Sequence, residues 1–405
     1  MMPYTKQELP ETVAAFDEKA VYIEQRLLNN SIRYQRLKKT GAPMKPLGVS
    51  IAVTGRCNSH CIMCSIWKIG KENPDLITQE MTVDEILGYL SDPYMQNLVE
   101  IDLTGGEPYL RDDLEAIIFG IVDLKLKHGN LKKLQTIIVP SNGYLTDKIL
   151  TTLERVLARL KGLGIDFVPV SSLDGIGNTH DIIRGTRGAF EKQKATIDGM
   201  VELRKIYSDF FFPMLKSTIM HANVNELEEL FHFASQRQMF PIISSVIISK
   251  KRFRNDKYRS QLELTAGDQK KIATFYADEK KDLDFYYKKI FESIISGEKQ
   301  WTCTALFDYV FIDYDRKVYP CPIQDACVGD LRYASLSEIL TSPGAAEIRK
   351  KVGSMELCRQ CTEPGSVRYS QIMEGGAMLD FIKAKGRMYY KQMIFDRGLH
   401  KLLEV

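Results

Sequence analysis

LGVSIAVTGRCNSHCIMC, residues 47–64, runs from an apolar stretch straight into three cysteines. Residues 47–53 read as a strand, and Cys57, Cys61 and Cys64 sit in the loop that leaves it. Thiolates are soft ligands suited to iron–sulfur clusters or zinc. Three of them hold three corners of a four-iron cluster and leave one iron open to a substrate or cofactor. His60 offers zinc a fourth ligand, but it lies between two of the cysteines, where tetrahedral closure is awkward.

Outward from this stretch, strand and helix patterns alternate. Strands are expected at 98–104, 134–141, 165–172, 211–220 and 242–249, and helices at 82–92, 112–127, 147–162, 188–206 and 225–237. Six such repeats predict an α/β fold, a parallel sheet curled into a full or partial (β/α)6 barrel with a small C-terminal α+β unit. Ligand groups then belong at the C-terminal strand ends. The expected divisions are an N-terminal helical segment (1–46), the barrel (47–250), a helical linker (251–299), a second cysteine-bearing unit (300–365) and a helical tail (366–405). In the first segment Val21, Ile23, Leu27, Leu28 and Ile32 fall on or near one helical face, a helix expected to close one end of the barrel. Residues 249–261 read as a charge-rich solvated loop.

The 405 residues carry a net charge of only +3, too little to imply a polyanionic partner, so nucleic acid is not expected. The polar, acidic start lacks a signal-peptide pattern, and no apolar run is long enough to span a bilayer. A soluble cytoplasmic protein without a membrane partner is the expectation. Eight cysteines in two tight groups, three near residue 60 and five between 303 and 361, favour metal ligation over disulfides.

Further polar groups mark the strand ends. In Thr104-Gly105-Gly106-Glu107-Pro108, paired glycines allow a close backbone approach to a ligand or a sharp turn, and Glu107 can accept hydrogen bonds from an ammonium. Ser141-Asn142-Gly143 either reaches ribose hydroxyls or is a plain Asn-Gly turn. Ser171-Ser172-Leu173-Asp174-Gly175 ends the fourth strand, followed by His180-Asp181 and Arg184-Gly185. Asp174 and His180 are expected to cap and pin this loop. Lys216 faces into or out of the barrel according to register.

CxxxCxxC after the first strand, GGEP after the second and SLDG…HD..RG after the fourth resemble the radical S-adenosylmethionine (SAM) superfamily. The resemblance implies a [4Fe-4S] cluster on Cys57, Cys61 and Cys64, with SAM on its open iron. It places Met63, Gly105, Gly106, Glu107, Ser141, Asn142, Ser172 and Arg184 around SAM. Met63 stands where an aromatic residue often contacts adenine, which weakens any stacking.

The distal cysteines are Cys303, Cys321, Cys327, Cys358 and Cys361. YDRKVYPC and VGDLRYASLSEIL resemble the SPASM/twitch extensions of the same superfamily, although Arg316 replaces the usual hairpin glycine and no cysteine follows Cys361. The count fits the smaller twitch arrangement, one auxiliary [4Fe-4S] cluster on Cys303, Cys321, Cys358 and Cys361, with Cys327 left over, as a buried thiol or in place of one of the four ligands. A structural zinc ribbon uses the same residues.

The resemblance implies an oxidoreductase that cleaves SAM reductively and abstracts a substrate hydrogen atom. The expected chemistry is oxidation or crosslinking of a small hydroxylated metabolite, with peptide maturation as the alternative. A flavodoxin- or ferredoxin-type protein is the expected electron donor. An electron carrier or a zinc-binding protein is the reading of another class.

Overall fold

Strand residues alternate in character along this chain, and the computed structural model shows where each set goes. It describes residues 13–72, 74, 75, 79–250, 253–278 and 285–385. Parts of four predicted divisions lie outside the described residues: 1–12 of the first segment, 73 and 76–78 of the barrel, 251–252 and 279–284 of the linker, and 386–405 of the tail.

Six strands, β1 (Gly48–Thr54), β2 (Glu100–Gly105), β3 (Thr136–Ser141), β4 (Asp166–Ser172), β5 (Met214–Ile219) and β6 (Phe240–Ser245), pair in parallel and in sequence order. The expected strands are all present, shifted at their ends by a few residues. The helices, in chain order, begin with α1 (Val13–Thr40), α2 (Ile66–Glu72), α3 (Val83–Leu90), α4 (Leu114–Asp123), α5 (Thr146–Leu160) and α6 (Asn178–Arg184). There follow α7 (Ala189–Ile206), α8 (Leu227–Gln236), α9 (Ala266–Tyr276) and α10 (Phe285–Ser296). The last four are α11 (Leu336–Thr341), α12 (Pro343–Lys351), α13 (Pro364–Ser370) and α14 (Gly375–Lys385).

Because side chains alternate across a strand, one face of each strand packs on the helices and the other lines the interior. Val49, Ile51, Val53, Ile101, Leu103, Ile137 and Val139 share a buried core with Ile117, Ile121, Leu153 and Leu157 of α4 and α5. Their strand neighbours Ser50, Ala52, Thr54, Glu100, Asp102, Thr104 and Thr136 face a central cavity of about 750 Å³. Register also settles Lys216, which lines this cavity.

A seventh strand, β7 (Tyr309–Ile312), adds to β1 in parallel, and the hairpin β8 (Lys317–Tyr319) and β9 (Gly329–Asp330) extends the same sheet. The distal unit thus shares its sheet with the barrel. Arg316, in the hairpin turn, has φ 68°, the left-handed conformation that explains why relatives of this hairpin use glycine. Its guanidinium forms two 2.8 Å contacts with Glu85, the residue that also completes the capping box of α3 with Thr82.

The edge of β6 does not meet β9. It is covered by α10 and the segment entering α13, through hydrogen bonds such as Ser245 N to Thr362 Oγ1 at 2.7 Å and Tyr286 Oη to Ile243 O at 3.1 Å. From α13, Tyr369 donates to Glu100 at 2.7 Å and Arg368 pairs with the same carboxylate at 2.8 Å, so the closing segment is latched to the barrel floor.

The N-terminal helix departs from expectation in two respects. Ile23, Leu27 and Tyr34 form the buried stripe, while Val21, Leu28 and Ile32 are about half exposed: at 3.6 residues per turn each trio shares a side of the helix, and the two sides differ. The helix also packs on the distal unit rather than on a barrel end: Tyr34 donates to the Cys303 carbonyl at 2.5 Å, and a side chain at Gly375 would stand 2.3 Å from the Leu27 carbonyl. Arg349 of α12 is fully buried and donates to the Gly41 carbonyl at 2.6 Å and the Leu340 carbonyl at 2.8 Å. Arg349→Met strands both carbonyls. It is expected to lower unfolding stability by about 3 kcal/mol in chemical denaturation, and Arg349→Lys by less, since an ammonium keeps the charge but not the fork.

Candidate active site

The loop from Gly55 to Ser65 carries the first three cysteines across the C-terminal ends of the strands, held by backbone contacts from three directions. Gly106 N donates to Thr54 O and Glu107 N to Arg56 O, both at 2.8 Å. His60 N and Ile62 N donate to the carbonyls of Arg184 and Ile183 at 3.0 and 2.9 Å, and Ser65 N donates to Phe253 O at 3.0 Å. Asn255 Nδ2 adds a 2.8 Å bond to Met63 O. The charge-rich stretch is therefore pinned to the cysteine loop at these residues rather than only solvated.

Glycines make this approach possible. A Cβ at Gly105 would stand 2.3 Å from Thr54 O, at Gly106 2.0 Å from Arg56 O, and at Gly185 2.4 Å from His60 O. Gly106 and Gly185 admit the backbone of the cysteine loop itself and Gly105 the end of β1 from which it leaves, while Gly105 and Gly106 also line the cavity.

Cys57, Cys61, Met63, Cys64, Ser141, Asn142, Ser172 and Arg184 all border the same cavity. Arg184 is buried, paired with Asp174 at 2.5 Å and directed at Cys61 Sγ at 3.6 Å. Burial pulls its guanidinium toward neutrality, but the charges of Asp174 and Cys61 outweigh that and hold it protonated. Asp174 also accepts from Thr218 N at 2.8 Å, and His180 Nδ1 accepts from Asp174 N at 3.1 Å. These are the pinning roles expected of Asp174 and His180. Burial, with Arg184 close by, holds the imidazole neutral by pulling its pKa down to about 3.

Asn142 donates to Asn58 Oδ1 at 2.7 Å and faces Cys57 Sγ at 3.9 Å, while its Oδ1 accepts from Tyr144 N at 3.1 Å. Ser141-Asn142-Gly143 is thus a turn, and its Asn142 also touches the thiol loop. Glu107 is 1% exposed, and its carboxylate accepts from Asn142 N at 2.7 Å, Ser141 Oγ at 3.0 Å and Tyr109 N at 3.2 Å. In this structure it joins the ends of β2 and β3 from behind the cavity wall. Burial raises its carboxyl to about 7 against those hydrogen bonds.

Two neighbours of Cys61 escaped the sequence reading: Ser59 Oγ lies 3.0 Å from its sulfur and 3.2 Å from Tyr144 Oη. Also missed were the interior charges. Asp102 accepts from Ser50 Oγ at 2.6 Å, Ser50 in turn accepts from Tyr309 Oη at 2.8 Å, and the other Asp102 oxygen is buried without a hydrogen bond. Burial raises this carboxyl to about 7. The alternation in EIDLT (100–104) was the available signal.

The second group forms where β7, β8 and the turn before α13 meet. Cys321, Cys358 and Cys361 are buried and Cys303 is half-buried. Gln324 Nε2 donates to Cys358 Sγ at 3.2 Å, and Glu363 N donates to Cys361 Sγ at 3.4 Å. Burial and mutual repulsion push the Cys303, Cys321 and Cys361 thiols up, Cys303 to about 11. Cys327 was expected to be buried, but it is exposed. It stands beyond β8, where its thiol meets only the Gly329 carbonyl at 3.3 Å.

The donor set fits the clusters that the sequence implies: soft thiols at a cavity mouth with a buried cation at one of them, and a second, closed set of four. Among the described residues no three His, Cys, Asp or Glu side chains converge on a single-ion site. Thiolates that each take a different iron need no such convergence.

Comparison with known proteins agrees with this geometry. The model of the radical SAM superfamily matches residues 51–233, and that of the SPASM iron–sulfur cluster-binding domain matches 303–362. An AdoMet-dependent heme synthase of Methanosarcina barkeri is 23% identical over 356 residues, spanning 82% of this chain and 90% of its own length. A PqqA peptide cyclase of Bradyrhizobium diazoefficiens is 26% identical over 47% of this chain and 43% of its own. Among solved structures, native anSMEcpe with bound AdoMet superposes with a TM-score of 0.52 at 18% identity, covering 89% of this chain and all of that one. Streptococcus suis SuiB bound to the precursor peptide SuiA superposes with a TM-score of 0.51 at 14% identity, covering 85% and 74%. No helix among the described residues is long and apolar enough to cross a membrane. With its thiol loop, barrel and distal cysteine unit each matched, the chain belongs to the radical SAM superfamily and carries a SPASM domain, which implies a [4Fe-4S] cluster, an auxiliary cluster and SAM.

Proposed function

We propose that this enzyme removes a hydrogen atom from a small, hydroxylated substrate bound in the polar half of its barrel, in an oxidation or crosslinking reaction. One observation carries the reading: the three thiols and Asp102 line one continuous cavity. Cys57, Cys61 and Cys64 would hold the first cluster, and Gly106, Asn142, Ser172 and Arg184 line the space beside it for SAM. When bound, the reduced cluster and SAM supply a 5′-deoxyadenosyl radical that takes the substrate hydrogen.

The chain's own residues do the rest. Arg184 sets the charge at Cys61, and the pinned loop fixes the thiols relative to the barrel axis. Asp102, aimed by Ser50 and Tyr309, accepts from a substrate hydroxyl or amine, and Lys216 on the same cavity favours an anionic substituent. Latching of α13 through Glu100 closes the side of the barrel and keeps water from the radical.

A small substrate is favoured by the heme synthase relative, whose name describes a small-molecule product and which matches most of this chain. Peptide modification is the second reading, supported by the PqqA peptide cyclase relative. A flavodoxin- or ferredoxin-type donor is proposed for both, with the cytoplasm as the compartment.

Reconstituted anaerobically, the protein is expected to hold two four-iron clusters and to release 5′-deoxyadenosine from SAM and dithionite. The Cys57→Ala, Cys61→Ala, Cys64→Ala variant should lose one cluster's iron and all release; release that persists contradicts the assignment. Arg184→Met leaves Asp174 buried and unpaired, so a stability loss of about 3–5 kcal/mol is expected by denaturation. Combining it with Asp174→Leu should recover much of that loss.

A further inference from the structure

The distal cysteines lie between two charge environments. On the cavity side stands Glu363, whose backbone contacts Cys361 and whose carboxylate lines the barrel interior. On the opposite side two lysines from separate elements converge on the chain at 352–353. Lys38, from α1, donates to Arg349 O at 2.9 Å and to Val352 O. Lys299 donates to Gly353 O at 3.1 Å. A Cβ at Gly353 would stand 2.9 Å from Lys299 Nζ and 3.2 Å from the Cys303 Cβ, so this lysine and this cysteine touch the same residue. Both ammonium groups favour the Cys303 thiolate electrostatically.

The helix that brings Lys38 here is itself docked on the site, through Tyr34 to the Cys303 carbonyl and Tyr34 against Phe307 at 5.2 Å. Both lysines are half-buried, where charges are screened less than at the surface. The potential of an iron–sulfur cluster follows its net charge, its sulfur hydrogen bonds and its exposure. Fixed cations beside one thiolate stabilise the more negative, reduced form.

We propose that Lys38 and Lys299 are positioning residues of the auxiliary cluster: a fixed cationic pair that raises its reduction potential, making the N-terminal helix part of the redox site. The inference rests on the reading that Cys303, Cys321, Cys358 and Cys361 hold that cluster.

The test is potentiometric titration of the full-length, anaerobically reconstituted protein, followed by electron paramagnetic resonance. In the Lys38→Met, Lys299→Met double variant the auxiliary midpoint should fall by about tenfold in reduced-to-oxidised ratio, which is 59 mV for one electron. Each single variant should shift it part of the way, Lys38→Arg should leave it in place, and the cluster on Cys57, Cys61 and Cys64 should not move. Either single variant suffices if the double does not fold. An unmoved auxiliary midpoint with full iron content overturns the proposal. A wild-type protein with iron at the first site alone overturns the underlying reading as well.

Discussion

Everything in the first site depends on how closely one loop can lie against two strand ends. The cysteine loop, with the end of β1 from which it leaves, rests on Gly105, Gly106 and Gly185 at distances where no Cβ fits, so the thiols are set by backbone contact rather than by side-chain packing. A side chain at any of the three would lift the loop, and the thiols, the Arg184 contact and the Asn142 contact would move together. Hydrogen bonds with the Gly106–Glu107 turn after β2, with α6 and with the 253–255 segment then leave the loop little freedom. The loop's position is thus set by backbone contacts that involve neither the thiols nor a ligand.

The barrel is also completed from far away in sequence. Six parallel strands do not close the circle, and the gap beside β6 is filled by the segment that carries Cys358 and Cys361 on one side and Glu363, Arg368 and Tyr369 on the other. The wall of the substrate cavity and the scaffold of the second cysteine set are thus the same stretch of chain. Glu363, two residues after Cys361, already borders the cavity.

Much of this was legible in the sequence because the controlling signals are local. Short apolar runs placed β1 to β6, and amphipathic stretches placed the helices between them. Cysteine spacing with GGEP and SLDG located the strand ends that the structure brings together. What was not legible depends on pairings with no local trace. That β7 would add to β1 links residues about 260 positions apart. The seven-residue α6, framed by Gly177 and Gly185, is too short for periodicity to reveal. In α1 apolar residues occupy more than one face, and only tertiary contact decides that Ile23, Leu27 and Tyr34 are the buried ones. Cys327 failed for a related reason, since a thiol two residues from an edge strand has no sequence mark of exposure.

Polar residues within apolar strands carry the most transferable lesson. Ser50, Glu100, Asp102 and Lys216 sit in strands whose alternate positions are apolar, and on an isolated reading they look like the solvated face of an open sheet. Six consecutive βα repeats forbid that reading, because a sheet covered by helices on one face and curled on itself has its other face inside. The polar set must then line an interior, and an interior carboxylate needs a partner. Glu100 finds one in Tyr369 and Arg368, whereas one oxygen of Asp102 finds none in the protein. A carboxylate oxygen buried without a partner, on a residue that borders a cavity large enough for a ligand, sets Asp102 apart from Glu100 in the same strand.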